Sequence, residues 1–231
     1  MAPLNRSDTN RSILSKNDLP GKRNFLPGVS KSACRAILRK AWERGYGVAQ
    51  LFWQFLIYSF FGFVLEVIFA RVTRAGKQDR KCMLFLPLCP VYGLGALLIV
   101  HLPATVRSRP VLLFLLGALA ATAVEYFMDW FYEKALGVRF WDYSALRWNL
   151  NGRVCLLFSG FWGLLALGLV AWVHPAVERW TAAIPAAWRL PVLLFFLLDT
   201  AFTVYLLRST GRTASLRWYD RFRRLPRRQS Q

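Results

Sequence analysis

Three carboxylates recur at a spacing of four residues near the middle of the chain: Glu125, Asp129 and Glu133. Residues four apart lie on the same face of an α-helix, so a helix here would align all three side chains. Part of that face lies within an apolar run, and an ionisable group at the centre of a membrane helix costs about 2.5 to 3.5 kcal/mol. Such acids should therefore face protein, water or a cation. The spacing predicts a polar site inside a membrane protein.

Basic and polar side chains follow these acids, between two apolar runs. The sequence after Arg139 is WDYSALRWNLNGR, which contains Asp142 and Arg153. Its Asp, Ser, Asn and Gly residues are typical of turns. Its Trp and Tyr residues, Tyr143 among them, are typical of an aromatic belt at the level of the lipid headgroups. Because Arg139, Arg147 and Arg153 are available to pair with the acids, two interpretations stay open: a structural network of ion pairs, and a ligand or ion site.

Two further acids lie in other apolar runs. Glu66 comes about one turn before the end of the first run, where it either pairs with Arg71 or Arg74 or turns inward toward the polar site. Asp199 lies near the middle of the last run and is the deepest charge in the chain, so it is either functional or hydrogen-bonded within the protein. We predict no catalytic set and no metal site. The predicted substrate or ion site consists of Glu66, Glu125, Asp129, Glu133, Asp142, Arg153 and Asp199.

Five apolar runs must position these side chains. Each reaches or approaches the roughly 20 residues that an α-helix needs to cross a bilayer. Hydrophobic residues make up 55% of the chain. The pattern predicts an all-α, polytopic membrane protein. Small residues predict close helix contacts in two of the runs, at Gly117 with Ala121 and at Ser159, Gly160 and Gly163. The five membrane segments cover about residues 48–70, 84–103, 111–131, 154–174 and 190–207.

The second of these segments contains four helix-interrupting residues, Pro87, Pro90, Gly93 and Gly95. Proline removes a backbone donor and clashes with the preceding turn, so a broken or re-entrant segment is predicted. Broken helices often line binding sites in transporters, and a kinked span without a substrate role is the alternative. A re-entrant segment would leave four full crossings instead of five. The orientation of the two ends of the chain therefore stays open.

Basic residues concentrate outside the apolar segments and give the chain a net charge of +19. Such flanks bind anionic headgroups beside membrane helices, so we expect lipid, and not nucleic acid, as their partner. Residues 1–30 are predicted to form a disordered basic tail and residues 31–47 an amphipathic helix on the membrane surface. Residues 48–207 form the predicted membrane domain, and 208–231 a basic C-terminal tail with a second surface helix. We expect the first segment to act as its own insertion signal in a bacterial inner membrane.

Three motifs carry a resemblance to a known family: FGFVLEV, PLCPVYGLG, and EYFMDWFYEKALGVRFWDYSALRWNLNGRVCL with the following FWG. Over about residues 52–167 the chain resembles the type IV ABC-transporter permease-like family of bacterial integral membrane proteins. The resemblance implies a multi-span transport component. The chain departs from the family pattern at Leu86, Phe63, Phe140, Met128 and Asp129, and the last of these adds a charge beside Glu125. The motif residues expected to be structural are Pro87, Cys89, Pro90, Tyr92, Gly93, Trp141, Asn149, Asn151 and Gly152.

Three functions are compatible with these features. The first is a permease-like transport component for a cationic or proton-coupled solute. The chain has no GxxxxGK[ST] phosphate-binding loop, so its energy would come from a separate ATP-binding subunit or an ion gradient. The second is a lipid-interface enzyme using Asp142, Glu133 and Arg153, which lacks a nucleophile and base. The third is a structural or regulatory membrane protein. We predict the first, not an enzyme and without a cofactor, with an ATP-binding subunit and a second copy of the chain as candidate partners.

Overall fold

The computed structural model describes residues 31–73 and 82–217, with side chains from residue 47 onward. The chain divides into two compact units, Met1–Glu43 and Arg44–Gln231. All contacts discussed below lie within the second unit. The predicted tail 1–30 and the part of the C-terminal tail from residue 218 onward lie outside the described residues.

Helices account for nearly all of the described regular structure, which confirms the helical fold class. A π-helical turn, Leu169–Val173, joins the fifth helix to the sixth, and short 3₁₀ turns, Ala186–Trp188 and Thr213–Leu216, flank the last helix. Two short antiparallel strands, β1 (Asn149–Leu150) and β2 (Val154–Cys155), lie between the fourth and fifth helices. The helices are α1 (Lys31–Val72), α2 (Pro90–Val100), α3 (Ala104–Arg107), α4 (Pro110–Leu136), α5 (Leu156–Gly168), α6 (His174–Ala183) and α7 (Arg189–Thr210).

Four helical stretches are long and apolar enough to cross a membrane. They are Gly47–Val72, Pro110–Leu136, Leu156–Ala183 and Ala186–Thr210. They contain 25 to 28 residues each, which at 1.5 Å per residue gives lengths of about 37 to 42 Å. The hydrocarbon core of a bilayer is only about 30 Å thick, so each stretch suffices for one crossing.

The second apolar segment differs from these four. Residues 82–89 are not helical, and α2 has only 11 residues, a length of about 16 Å. Pro90 occupies the first turn of α2, where its missing N–H removes no helical hydrogen bond, and Pro87 favours an extended chain before it. Five full-length helical spans are therefore not confirmed. The segment is broken, and its first half is irregular backbone.

Hydrogen bonds to two neighbouring helices hold this irregular backbone. The side chain of Asp199 on α7 accepts from the N–H groups of Phe85 at 3.0 Å and Leu86 at 2.7 Å. On the other side, the N–H of Cys89 donates to the carbonyl of Ser59 on α1 at 2.9 Å. Irregular backbone at membrane depth is tolerated only where protein or trapped water satisfies its polar groups. These bonds explain why the break is stable.

Small residues allow α4 and α5 to pack closely. A Cβ added to Gly117 would lie 2.5 Å from the Cβ of Ala166, and one added to Gly163 would lie 2.6 Å from the ring of Phe114. Close contact is thus confirmed at Gly117 and Gly163. The prediction of a close contact is wrong at Gly160, because no described atom lies within 4 Å of the position of a Cβ added there. The close packing brings polar side chains of both helices within hydrogen-bonding distance.

The polar segment between α4 and α5 folds into a hydrogen-bonded loop. Asn151 and Gly152 have φ values of 55° and 67° in the turn between the strands, a conformation that these two residue types adopt most readily. The Asn149 side-chain oxygen accepts from the N–H of Gly152 at 2.9 Å, and the Trp141 indole donates to the carbonyl of Arg153 at 3.1 Å. These motif residues therefore shape the loop that presents Arg153.

Candidate functional site

The seven residues of the predicted site do not come together in one place. They separate according to what surrounds their charged groups: a cavity, a network of arginines, backbone amides, or solvent. The groups are Glu66 with Glu125, the network of Asp129, Glu133 and Arg153, and the single residues Asp199 and Asp142.

Glu125 on α4 faces a cavity of about 200 Å³, here called the acidic cavity, and only 5% of the residue is exposed. One carboxylate oxygen accepts from the hydroxyl of Tyr143 and the other from the indole N–H of Trp162, both at 2.9 Å. Both donors are neutral. A buried carboxylate is costly unless it is neutralised, so a cation or a proton in the cavity would stabilise it.

Glu66 on α1 lines the same cavity, so it turns inward, as one of its two interpretations predicted. Its carboxylate accepts from the hydroxyl of Tyr92 on α2 at 2.9 Å. A Cβ on Gly62, one turn earlier, would overlap the Tyr92 side chain. Tyr92 therefore packs directly on the backbone of α1, and this contact brings its hydroxyl to Glu66.

Aromatic rings form much of the wall of the acidic cavity. The ring centroids of Tyr92 and Trp162 are 4.8 Å apart, and those of Tyr143 and Phe158 are 4.9 Å apart. No lysine or arginine within the described ranges lines the cavity. Ring faces attract cations through their quadrupole. The cavity therefore suits a positively charged group better than an anion. Its lining is Leu65, Glu66, Phe69, Tyr92, Glu125, Tyr143, Phe158, Phe161, Trp162 and Leu165.

A second cavity of about 360 Å³, here called the apolar cavity, adjoins the first. Leu65, Tyr92, Trp162 and Leu165 line both cavities. The Tyr92 hydroxyl and the Trp162 indole N–H bond to the two glutamates of the acidic cavity, so these side chains offer ring carbons to the apolar one. The remaining wall is mainly aliphatic and aromatic.

A third cavity of about 400 Å³, here called the polar cavity, lies toward the N-terminal end of Gly47–Val72, opposite to the acidic cavity. His174 lines it and bonds through Nδ1 to the hydroxyl of Tyr58 at 2.7 Å, and Tyr58 lines the apolar cavity. The three cavities thus follow one another along α1. The polar cavity is lined by Gly47, Gln50, Leu51, Gln54, Val100, His101, Arg107, His174 and Glu178.

Asp129 and Glu133, which follow Glu125 on α4, face arginines of the loop. The fully buried Asp129 accepts from Arg153 at 2.6 Å and from Arg139 at 3.2 Å, and Arg153 also pairs with Glu133. The hydrogen bond to Glu133 raises the pKa of Arg153 above its usual value, so the guanidinium stays charged. These acids correspond to the ion-pair interpretation, in which the network fixes the loop against α4.

Asp199 and Asp142 bond to backbone amides. Asp199 is 1% exposed and holds the break in the second segment, and Thr203 on the same helix accepts from the N–H of Leu84 at 2.9 Å. Asp142 is exposed in the loop and accepts from the N–H of Ser144 at 3.0 Å, which lowers the pKa of the Asp142 carboxyl. Neither carboxylate lines the acidic cavity.

Two donors of the acidic cavity, Tyr143 and Trp162, are absent from the sequence-based site. From the sequence, Tyr143 is predicted to lie in an interfacial aromatic belt, whereas in the structure it is buried against Glu125. Both residues occur in the family motifs, in WDYS and FWG. A buried Tyr or Trp needs a partner for its polar hydrogen, and a motif that repeats such residues beside an intramembrane acid is the signal that points to them.

Helices long enough to cross a membrane several times, packed around buried carboxylates and a row of cavities, define a multi-pass membrane protein with a polar interior. The family model described as "Putative ABC-transporter type IV" matches residues 53–205. The chain belongs to this family, which confirms the resemblance found in its motifs. No curated protein and no solved structure matches the chain.

Proposed function

We propose that the protein is the permease component of a transporter, carrying a cationic or proton-coupled solute through the acidic cavity. Membership of an ABC-transporter family and four membrane-capable helices support a transport role. The observation that carries the proposal is Glu125. It is a buried carboxylate whose described hydrogen-bond donors are neutral, and it faces a cavity large enough for a small chemical group.

The row of cavities along α1 supports movement of a solute, and not only its binding. The acidic, apolar and polar cavities follow one another toward opposite ends of a membrane-capable helix. The acidic and apolar cavities share Tyr92 and Trp162 in their lining, and the Tyr58–His174 hydrogen bond joins a residue of the apolar cavity to one of the polar cavity. Opening of the Tyr58–His174 contact would extend the route to the polar cavity.

The broken second segment supports the same function. Discontinuous membrane helices form substrate sites in transporters because their irregular part can line a cavity. Helix α2 begins directly after the break and contributes Tyr92 to both the acidic and the apolar cavities. A change in the break would therefore move a cavity wall, which couples the backbone of this segment to the site.

The energy source and location belong to this proposal. We assign ATP hydrolysis to a separate subunit, because the chain lacks the phosphate-binding loop of such enzymes. We place the protein in a bacterial inner membrane, with anionic lipids at its basic flanks and a second copy of the chain as a further partner. We do not assign catalysis to the loop, because Glu133 and Arg153 bond to each other.

Purification from native membranes tests the partner. The full-length chain is isolated in a mild detergent, and the proteins that accompany it are identified by mass spectrometry. We expect an ATP-binding subunit in stoichiometric amount. Recovery of the chain alone would contradict the ABC-type assembly.

Uptake by cells tests the site. We expect Glu125→Gln to abolish energy-dependent uptake of the transported cation while the amount of protein in the membrane stays unchanged. The control is Asp142→Asn, which removes an equal charge from an exposed position outside the cavity. Loss of folded protein instead of uptake would favour a structural or regulatory membrane protein. That second function is favoured by the structural partners of Asp129, Glu133 and Asp199.

A further inference from the structure

We propose that the solute is an amphipathic organic cation. Its positively charged head group binds at Glu125 in the acidic cavity, and its apolar body lies in the apolar cavity. The inference rests on the proposed function, because it names the class of solute that the same site carries. The two cavities share four lining residues, so one molecule can contact both at once.

The lining of the acidic cavity favours an organic cation over a metal ion. Ca²⁺ takes six to eight oxygen ligands at short distance, and the described residues contain no group of three or more His, Cys, Asp or Glu side chains that could hold a metal ion. The acidic cavity instead offers two glutamates, two tyrosines and a majority of ring and aliphatic carbons. A substituted ammonium group gains from such a lining, since the carboxylate of Glu125 attracts its charge and the faces of rings such as Tyr143 and Trp162 attract its polarised methyl or methylene groups.

The lining of the apolar cavity specifies the rest of the molecule. A polar or hydrated body would lose its water there without new hydrogen bonds, whereas an alkyl or aromatic body gains by leaving water. Volumes of about 360 Å³ and about 200 Å³ together fall within the ~300–1,000 Å³ range of small-molecule sites. The pair of cavities therefore fits a solute with a compact charged end and a larger apolar end.

Exposed side chains beside the apolar cavity provide a way in. Leu164 and Trp172 line this cavity and are 58% and 79% exposed. Both belong to a membrane-crossing stretch, Leu156–Ala183, so their exposed surface faces lipid. An amphipathic cation dissolves in the bilayer with its apolar part in the hydrocarbon. It can therefore reach the apolar cavity sideways from the membrane, which a strongly hydrated solute cannot.

Equilibrium dialysis of the purified full-length protein in dodecyl maltoside tests this assignment. The probe is radiolabelled decyltrimethylammonium, and protein-free micelles measure its partitioning. We expect saturable binding above that background. Labelled tetramethylammonium, which has no tail, should bind about a hundredfold more weakly, since each buried methylene strengthens binding several-fold. Decyl sulfate, which has the tail but the opposite charge, should not compete.

Two variants separate the head group from the tail. Glu125→Gln should weaken binding of decyltrimethylammonium at least about tenfold. Ala96→Phe fills the apolar cavity, which Ala96 lines without lining the acidic one. It should reduce decyltrimethylammonium binding to the level of tetramethylammonium and leave tetramethylammonium unchanged. Asp142→Asn is the control for the change in charge and should bind like the wild type.

Three results would overturn the inference, and they differ in what they leave standing. Equal binding of tetramethylammonium and decyltrimethylammonium, both weakened by Glu125→Gln, would remove the amphipathic class but keep the cation site of the proposed function. Binding that is unchanged in Glu125→Gln, or equally strong for decyl sulfate, would remove both. A wild-type protein that binds neither cation above background also contradicts the inference. If Glu125→Gln does not fold, the Ala96→Phe variant and the competition by decyl sulfate still decide.

Discussion

Glu125 and Asp199 are both carboxylates buried in membrane-crossing helices, yet their surroundings are opposite in kind. Asp199 bonds to backbone amides of the break, and irregular backbone at membrane depth needs such partners. Glu125 bonds to a phenol and an indole and faces an open cavity. The depth of an acid in the membrane therefore does not reveal its role. The role is indicated by the hydrogen-bond partners of the carboxylate and by the cavity that it faces.

Asp129 stands between these two cases. It is fully buried like Asp199, but its partners are two arginines, Arg139 and Arg153. Its charge is therefore paired with cationic side chains within the protein. Only one turn of helix separates it from Glu125, and this short distance marks the boundary between the cavity and the structural network.

The largest effect should come from Asp199→Ala. It leaves the N–H groups of Phe85 and Leu86 without their acceptor, and a buried donor without a partner costs about 1 to 3 kcal/mol. We expect a marked loss of folded protein, measured as the yield of monodisperse protein and its thermal unfolding in detergent. Asp199→Asn keeps one acceptor oxygen and should be milder. If Asp199→Ala were as stable as the wild type, Asp199 would have no structural role and would not differ from Glu125 in that respect.

Arg153→Ala should be the next most damaging change. Removing one partner of a buried ion pair is destabilising because the remaining charge stays buried. Here Asp129 would keep Arg139, so we expect a smaller loss than from Asp199→Ala, which leaves two backbone donors without an acceptor. Chemical denaturation or thermal unfolding of the purified variant measures it. Arg153→Lys should recover only part of the stability lost in Arg153→Ala. A single ammonium group cannot form both the Asp129 and the Glu133 contact with the geometry of a guanidinium.

Glu125→Gln should change stability little, because a glutamine amide can still accept from Trp162 and contact Tyr143 at nearly the same size. The free energy of unfolding of this variant, measured by thermal unfolding, should therefore match that of the wild type within about 1 kcal/mol. Binding of decyltrimethylammonium should weaken at least about tenfold. A strong loss of stability would show that the fold needs the charge of Glu125, and Glu125 would then have a structural role like that of Asp199.

Asp142→Asn should have the smallest effect, because Asp142 is exposed. The hydrogen bond from the N–H of Ser144 lowers the pKa of the Asp142 carboxyl in the folded protein. In the unfolded chain the pKa of an Asp is about 3.9. At pH values above about 3.9 the charged carboxylate therefore stabilises the folded state. That contribution is lost as the pH falls through the lower, folded pKa. Unfolding curves of wild type and Asp142→Asn should therefore run parallel between pH 5 and pH 7 and converge below about pH 4. A difference that grows between pH 7 and pH 5 would contradict this assignment.

The membrane-crossing helices are largely predictable from the sequence, because hydrophobic length is a local property. The segment predicted at 111–131 lies within Pro110–Leu136, and the segment predicted at 190–207 lies within Ala186–Thr210. The break in the second segment is equally local, since it follows from prolines. What the sequence does not reveal is the partner of the break. Asp199 is 113 residues away from Leu86 in the chain, and only tertiary packing brings them together.

The candidate site was predictable in part for the same reason. Spacing correctly aligns Glu125, Asp129 and Glu133 on α4, but a helix face does not show which neighbours cover it. Those neighbours come from the loop and from α5, and they divide the face into a cavity and an ion-pair network. A pattern of acids four residues apart therefore predicts a shared face and not a shared function.

If Glu125 binds the solute and Asp199 stabilises the fold, one paired measurement separates the two roles. Thermal unfolding and binding of decyltrimethylammonium are measured on the purified Glu125→Gln and Asp199→Asn variants beside the wild type. We expect Glu125→Gln to unfold like the wild type and to bind the cation at least about tenfold more weakly. Asp199→Asn should unfold more easily, while its folded fraction still binds. The reverse pattern, in which Glu125→Gln loses stability and keeps binding, would show that Glu125 stabilises the fold and does not bind the solute.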